Sequence, residues 1–269
     1  MIGVESLERI IKAALFTTRL EGEQPLSMMI IASVGAGKSS ILSKFIKDGT
    51  IHNGILYATD ITPFALHKKH GADLKAGRIK VIMIPDLLNM LNKSKDQSDA
   101  FITFMNSLIE EGLARVESAQ SSFYAEFPVQ CSLLTAISKQ DFDARRKKWS
   151  SLGFLSRTLP ISYGYGKATV DNIFRSIMQR EYSGSHKITL ELPETTLVQM
   201  PVEIAAQGLQ IAKTVKDDSD LYGFRRFKQI QTLLQGMALS QGRHIVGTED
   251  IAELWELKEF IGYDCSKQL

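Results

Sequence analysis

Apolar and polar positions along the chain follow two different periods. Near the start, Leu7, Ile10, Ile11, Ala14 and Leu15 recur at the spacing of one helix face, which predicts an amphipathic helix from Ser6 to about Thr17. The polar linker Glu21-Gly22-Glu23-Gln24-Pro25 ends that pattern. An unbroken apolar run, Met28-Met29-Ile30-Ile31, follows and predicts a strand buried on both faces. Further short runs read as strands at Gly54–Thr59, Ile79–Ile84 and Val129–Ile137. Helical stretches separate them, from Ser39 to roughly Lys47, from Thr62 to His70, and from Gln97 to Leu108, ending near Gly112. Strands alternating with helices in this way predict a parallel α/β sheet covered on both faces, a three-layer arrangement.

Two stretches depart from that alternation. Ala114 to Phe127 holds two short strand-like pieces around Ala119-Gln120-Ser121-Ser122, which predicts a β-hairpin inserted before the fourth core strand. After a charged helix containing Arg145-Arg146-Lys147-Lys148 come the segment GFLSRTLPISY and a helix from Ala168 to Gln179. Beyond Ser183-Gly184-Ser185 the character changes. KITLEL, residues 187–192, reads as a short strand, and the remainder as helices over Val202–Val215, Phe224–Gln241 and Thr248–Phe260. Thr248 is expected to cap the last helix, with Glu249 and Asp250 in its first turn. A boundary near residue 184 therefore divides an α/β core, residues 1–184, from a mainly helical lid, residues 185–269.

Composition changes this picture little. With 269 residues, 44% hydrophobic and 23% charged, the chain is large enough for a substantial core. A net charge of +2 neither demands nor excludes a polyanionic partner. Cys131 and Cys265 are the only cysteines, far apart, and form no metal-ligand pair. No apolar run approaches the ~18 residues of a membrane span. Glu5 and Glu8 interrupt the N-terminal apolar pattern where a signal peptide would be basic, so a cytoplasmic location and no membrane partner are expected.

The sharpest chemical signal is SMMIIASVGAGKSS, Ser27–Ser40. A strand, a small-residue loop and a helix start fall in the order of a Walker A phosphate loop, with alanine at its first glycine position. Gly35 and Gly37 allow the backbone N–H groups of Val34, Gly35, Ala36, Gly37, Lys38, Ser39 and Ser40 to turn around a β-phosphate. Lys38 supplies a point charge for the β- and γ-phosphates, and the Ser39 hydroxyl is a ligand for Mg²⁺. ATP and Mg²⁺ are thus the expected cofactors. His67-Lys68-Lys69-His70 offers two imidazoles without a further ligand at metal spacing, and reads as a solvated basic turn. Arg145 to Lys148 likewise reads as a solvated helix face, with a nucleotide or nucleic-acid contact as its alternative.

Taken in order, these parts resemble an AAA+ ATPase, a P-loop NTPase with a C-terminal helical lid. The likeness is to the branch with a hairpin before sensor 1, which includes the MoxR-type chaperone ATPases, the MCM helicases and the magnesium chelatase subunits. It covers nearly the whole chain and rests on four further stretches. EEGLARVES…FYAEFPVQCSLLTA resembles the branch's hairpin, opened by Glu111-Gly112 and closed by Phe127-Pro128. FLSR, Phe154–Arg157, resembles the segment ending in the MCM arginine finger, which makes Arg157 the candidate. LYGFRRFKQIQTLLQGMALSQGRHIVGTEDI resembles a lid helix with its sensor 2 arginine, at Arg225 or alternatively Arg226. The third strand ends Ile84-Pro85-Asp86-Leu87, so Asp86 is the candidate for Walker B and for the metal. One of the two usual carboxylates is replaced by Leu87 or by Pro85, depending on register. Thr135 or Ser138 stands for the sensor 1 asparagine.

The resemblance implies an oligomeric ATP hydrolase, a homo-oligomeric ring expected to be a hexamer with ATP between subunits. It would act as a remodeller or translocase on protein or nucleic acid, with Phe123 and Tyr124 either candidates on a hairpin that points into a pore or packed on the core. The incomplete Walker B makes a nucleotide-gated scaffold with little hydrolysis an alternative. A DNA helicase or helicase-loader-like protein is a further one.

Overall fold

A computed structural model describes residues 3–46, 51–118, 121–180, 187–215, 220–265 and 268–269. In chain order the elements are α1 (Glu5–Phe16), β1 (Met28–Ala32), α2 (Lys38–Ser43), β2 (Ile51–His52), β3 (Ile55–Tyr57) and α3 (Pro63–Lys75). Next come β4 (Val81–Ile84), α4 (Leu88–Leu91) and α5 (Lys95–Asn106), which runs into a π-helical turn at Ser107–Glu111. The antiparallel hairpin β5 (Leu113–Ser118) and β6 (Ser121–Val129) follows, then β7 (Ser132–Ser138), α6 (Lys139–Ser151), α7 (Phe154–Arg157), β8 (Leu159–Ser162) and α8 (Lys167–Met178). The C-terminal helices are α9 (Val202–Val215), α10 (Phe224–Ser240) and α11 (Thr248–Leu257).

The main sheet runs β2-β3-β4-β7-β1-β8. Every pairing from β3 to β8 is parallel, and only β2 is antiparallel, at one edge. Side-chain alternation on the strands divides the interior in two. Met28, Ile30, Val81, Met83, Leu134 and Ala136 face a layer built from α1, α9, α10 and α11. Met29, Ile31, Ile82, Ile84, Leu133 and Ile137 face a layer built from α3, α5, α6 and the hairpin. The expected three-layer α/β architecture is thus present. The boundary expected near residue 184 falls outside the described residues. The C-terminal helices share one continuous apolar core with α1 and the sheet.

Helix α10 lies against α1, and Gly236 sets the distance. A Cβ there would stand 2.4 Å from the Ala13 carbonyl oxygen and 2.8 Å from the Thr17 methyl. The hairpin lies against α3. Phe123 stacks on His67 with ring centroids 5.4 Å apart, while Phe104 meets the same imidazole edge-on at 5.0 Å. Phe123 is therefore buried, whereas Tyr124 and Phe127 are exposed. Of the pair expected to project, Tyr124 alone does so. The expected hairpin tip includes residues 119 and 120, which lie outside the described ones.

Several other expectations are corrected. KITLEL forms no strand. Its main chain makes single bonds, Ile188 N–H to the Lys44 carbonyl and the Leu190 carbonyl from Asn53 Nδ2, and no ladder. GFLSRTLPISY, named only as a segment in the sequence, contains a strand, β8, which includes Pro160. Its place at the edge of the parallel sheet, paired with β1 on one side, accommodates a residue without an N–H. Helix α2 ends at Ser43, short of Lys47. The cap of α11 is Gly247 and not Thr248, its N–H donating to the Asp250 carboxylate at 2.9 Å.

Two predictions follow from this packing. Gly236→Ala should destabilise the fold by about 1–3 kcal/mol through overpacking of α1 on α10, read as a shifted denaturant midpoint at unchanged m-value. Burial between two phenyl rings lowers the pKa of His67 below the ordinary histidine value. The unfolded chain then binds the proton first as pH falls, so this contribution is complete above about pH 6.5 and is lost with acidification. His67→Phe should flatten the dependence of unfolding free energy on pH between about 5 and 7.

Candidate functional site

The loop after β1 leaves the sheet at the carboxyl end of its strands, where β1 lies between β7 and β8. Open α/β sheets bind ligands at such ends. Gly35 and Gly37 adopt φ of 79° and 77°, a left-handed conformation that side chains disfavour. A Cβ at Gly35 would meet nothing within 4 Å, so the backbone there faces the open cleft. The loop is fastened from behind. The hydroxyls of Tyr163 and Tyr165 donate to the Ala36 carbonyl at 2.8 and 2.9 Å. With that carbonyl held away, the N–H groups of the following turn are left to the cleft side.

The cleft encloses about 440 Å³ and brings together Val34, Gly35, Lys38, Ser39, Asp86, Ser138 and Asp141, among others. Lys38 Nζ donates to the Ala32 and Ser33 carbonyls at 3.1 and 2.8 Å, and burial pulls its pKa below the usual lysine range. Asp86, Cys265 and Asp141 oppose that shift by their charge. Ser39 Oγ donates to the Pro85 carbonyl at 3.0 Å, which ties the helix start to the end of β4. Asp86 accepts from the Leu88 N–H at 3.0 Å through one oxygen.

This arrangement fits a magnesium nucleotide. Glycine backbone, a lysine, a hydroxyl and a carboxylate converge on one cleft large enough for a phosphate chain. Among the described residues no cluster of three or more His, Cys, Asp or Glu stands ready to cage a metal. Such a site suits Mg²⁺, which takes one or two protein oxygens and completes its shell with phosphate and water.

The region after β4 divides between cleft and core, with Pro85 and Asp86 lining the cleft. Leu87 is fully buried, and its N–H donates to the Ala136 carbonyl at 2.9 Å. Asp86 is therefore the residue that meets the cleft, and the position after it belongs to the core. On β7 the two sensor 1 candidates separate. Ser138, at the end of the strand opposite Ala32, lines the cleft. Thr135 lies within the sheet between Met29 and Ile84 and is fully buried, so it does not line the cleft. Sequence reading missed Asp141, one turn into α6. Ser138 Oγ donates to its carboxylate at 2.5 Å, and the Asp141 N–H donates back to Ser138 Oγ at 3.1 Å. The spacing Ser138-x-x-Asp141 is a helix-capping pattern that could have pointed to it.

Arg157 and Arg225 lie at the opposite end of the sheet. Ser27, the residue before β1, opens a second cavity of about 260 Å³ whose lining includes Glu110, Ser156, Arg157, Arg225 and Lys228. From Ser27 to Ser33 is roughly 20 Å at about 3.3 Å per strand residue, beyond the reach of either arginine to its own loop. Arg225, expected as the sensor 2 arginine, therefore does not stand at the loop of its own chain. Instead it donates to Glu110 at 2.7 Å and to Ser156 Oγ at 3.0 Å. Its alternative, Arg226, is buried and donates to Gln229 at 2.7 Å. Arg157 pairs with the other oxygen of Glu110.

The weaker candidates are absorbed by structure. In the basic run, Arg145 pairs with Asp141, Lys148 with Asp99, and Arg146 lies over the Tyr263 ring. His67 is enclosed by aromatic rings and His70 is partly exposed.

The chain thus has a P-loop-type α/β fold with a mostly parallel sheet. No family model and no curated protein matches it in sequence. In structure it is similar to a full-length MCM homologue from Methanopyrus kandleri, with a TM-score of 0.54 and 15% identity. That likeness covers 97% of this chain and 56% of the length of the solved one, and it is a likeness of fold.

The tyrosine fastening makes a specific prediction. Each hydroxyl is worth about 1 kcal/mol. Replacing both, as Tyr163→Phe with Tyr165→Phe, should weaken MgATP binding roughly tenfold in titration calorimetry while each single change costs less. Unaltered binding by the double variant would show that the hydroxyls do not hold the cradle.

Proposed function

We propose that this chain is an AAA+ ATPase module that binds MgATP at Val34–Ser40 and works as a homo-oligomeric ring, acting as a remodeller or translocase on protein or nucleic acid. One observation carries the reading. The phosphate loop and the arginine pair occupy opposite ends of one sheet, so a head-to-tail neighbour would bring Arg157 and Arg225 to the nucleotide that Lys38 holds. The fold likeness to an MCM homologue supports it, as do the hairpin ahead of β7 and the exposed Tyr124 and Phe127 upon it.

Bound MgATP supplies a γ-phosphate made electrophilic and charge-neutralised by its metal. The chain's own residues do the rest. Lys38 exchanges the Ala32 and Ser33 carbonyls for phosphate oxygens. Ser39 and Asp86 would hold the metal and its water shell. Ser138 and Asp141 orient the attacking water, Asp141 taking the part of the carboxylate that Leu87 cannot play. Arg157 and Arg225 of the adjacent subunit stabilise charge developing on the transferred group. A second reading, a nucleotide-gated scaffold with slow turnover, is favoured by the burial of Leu87 where a polarising glutamate would stand.

Mixing inactive variants tests the shared site. Lys38→Ala and Arg157→Ala subunits should each lack MgATP turnover alone. Mixed in equal amounts, they should regain roughly a quarter of wild-type activity, because random head-to-tail assembly gives that share of interfaces an intact lysine and an intact arginine. No recovery would place both residues in one subunit's site or in none. Wild-type turnover too slow to measure, with Lys38-dependent assembly on MgATP, would select the scaffold reading.

A further inference from the structure

Glu110 is a carboxylate with no part in the phosphate cleft, and it binds both arginines at once. Its Oε1 accepts from Arg225 Nε at 3.0 Å and Nη2 at 2.7 Å, and its Oε2 pairs with Arg157 Nε. The residue lies in the π-helical turn at Ser107–Glu111, immediately before Gly112 and the hairpin. Single-turn π segments inside or at the end of helices recur at functional sites. The main chain at this point is also held. The Glu110 carbonyl accepts the side-chain amides of Gln24, in the linker before β1, and Gln130, just after β6, both at 2.5 Å.

Around this carboxylate the two arginines are cross-tied. Arg157 Nη1 donates to the Gly153 carbonyl at 2.8 Å, and Arg225 Nη1 donates to Ser156 Oγ at 3.0 Å. The Ser156 carbonyl accepts from Gln229 of α10 at 3.1 Å. Gly153 lets the guanidinium fold in this way, since a Cβ there would lie 2.4 Å from Arg157 Nη1. Three elements therefore meet on one side chain: the root of the hairpin, the turn that carries Arg157, and the C-terminal helix that carries Arg225. Among the described residues, the cavity wall carries Arg157, Arg225 and Lys228 against this single carboxylate, so its excess charge is positive and suited to an anion.

We propose that Glu110 is the positioning residue for the arginine pair. It holds Arg157 and Arg225 as one unit aimed at a neighbouring subunit's phosphate, and it links their position to the hairpin. The proposal rests on the reading that these arginines act on a neighbour's nucleotide. Arginine side chains are long and freely rotating, and a carboxylate that accepts from Arg225 and ion-pairs with Arg157 fixes their guanidinium groups before a phosphate arrives. The hairpin emerges two residues further on, so a displacement of its root by a bound strand or peptide moves the same carboxylate.

Complementation classifies the residue. Glu110→Gln should lower MgATP turnover roughly tenfold in kcat with KM changed far less, as expected for lost transition-state positioning. Mixed with Lys38→Ala subunits, the Glu110→Gln protein should recover activity, because the partner brings an intact Glu110 with both arginines. Mixed with Arg157→Ala subunits it should not, since neither partner then offers an intact pair. Glu110→Asp should retain more turnover than Glu110→Gln. Recovery with Arg157→Ala but not with Lys38→Ala would assign Glu110 to its own subunit's nucleotide and overturn the proposal. Failure in both mixtures, or turnover at or above wild type, would overturn it as well. Failure of Lys38→Ala with Arg157→Ala to complement, in the same experiment, marks failure of the underlying shared-site reading instead.

Discussion

Strand β1 is hydrogen-bonded to a parallel neighbour on each edge and covered by a helical layer on each face, and the placement of every candidate residue depends on that enclosure. Its five residues are all buried, so it cannot shift register without moving apolar side chains into the wrong layer. The chain is consequently anchored at two points on opposite ends of the sheet. At one end Ser27 accepts the Leu133 N–H on its hydroxyl at 2.9 Å and the Leu159 N–H on its carbonyl at 2.8 Å, locking the starts of β7 and β8. At the other end the glycine loop turns out over the strand ends. A phosphate cradle and an arginine cluster thereby become the two poles of one rigid element.

Under the proposed function that separation would give assembly a chemical role: a site split between the poles of one subunit would be whole only where two subunits met head to tail, a heterologous contact of the kind that closes into a ring. The layer formed by α1, α9, α10 and α11 serves the same end. By packing α10 through Gly236 onto α1, it places Arg225 beside Arg157 and not over the cleft. Glu110 then joins the two, and the hairpin begins where that residue sits.

The cleft itself is built economically from strand ends. Asp86 follows β4, Ser138 ends β7, and Asp141 stands one turn into α6, so three polar groups arrive at the loop from neighbouring strands. The main-chain bond from Leu87 to Ala136 closes the sheet beyond β4 and draws the leucine into the core. A carboxylate at that position would be buried in an apolar layer, a costly place for a charge. Asp141, from the first turn of α6, is the carboxylate that reaches the cleft beside Asp86.

What the sequence determined by itself is local. Apolar runs marked β1, β3, β4 and β7, helical spacing marked α1, α9 and α10, and the glycine-lysine-serine loop announced its own conformation. All of these depend on periodicity or on the φ freedom of single residues, which neighbours in sequence reveal. Only the tertiary structure decided that Asp86 and Ser138 line the cleft while Leu87 and Thr135 are buried, and that Phe123 is buried beside an exposed Tyr124. It alone brought Tyr163 and Tyr165 behind Ala36 and set both arginines on Glu110. Strand β8, four residues long and holding Pro160, is defined by its pairing with β1 at the sheet edge. These facts are contacts between segments up to 127 residues and more apart, such as Tyr163 to Ala36, and such contacts follow from which strand lies beside which, not from any pattern along the chain.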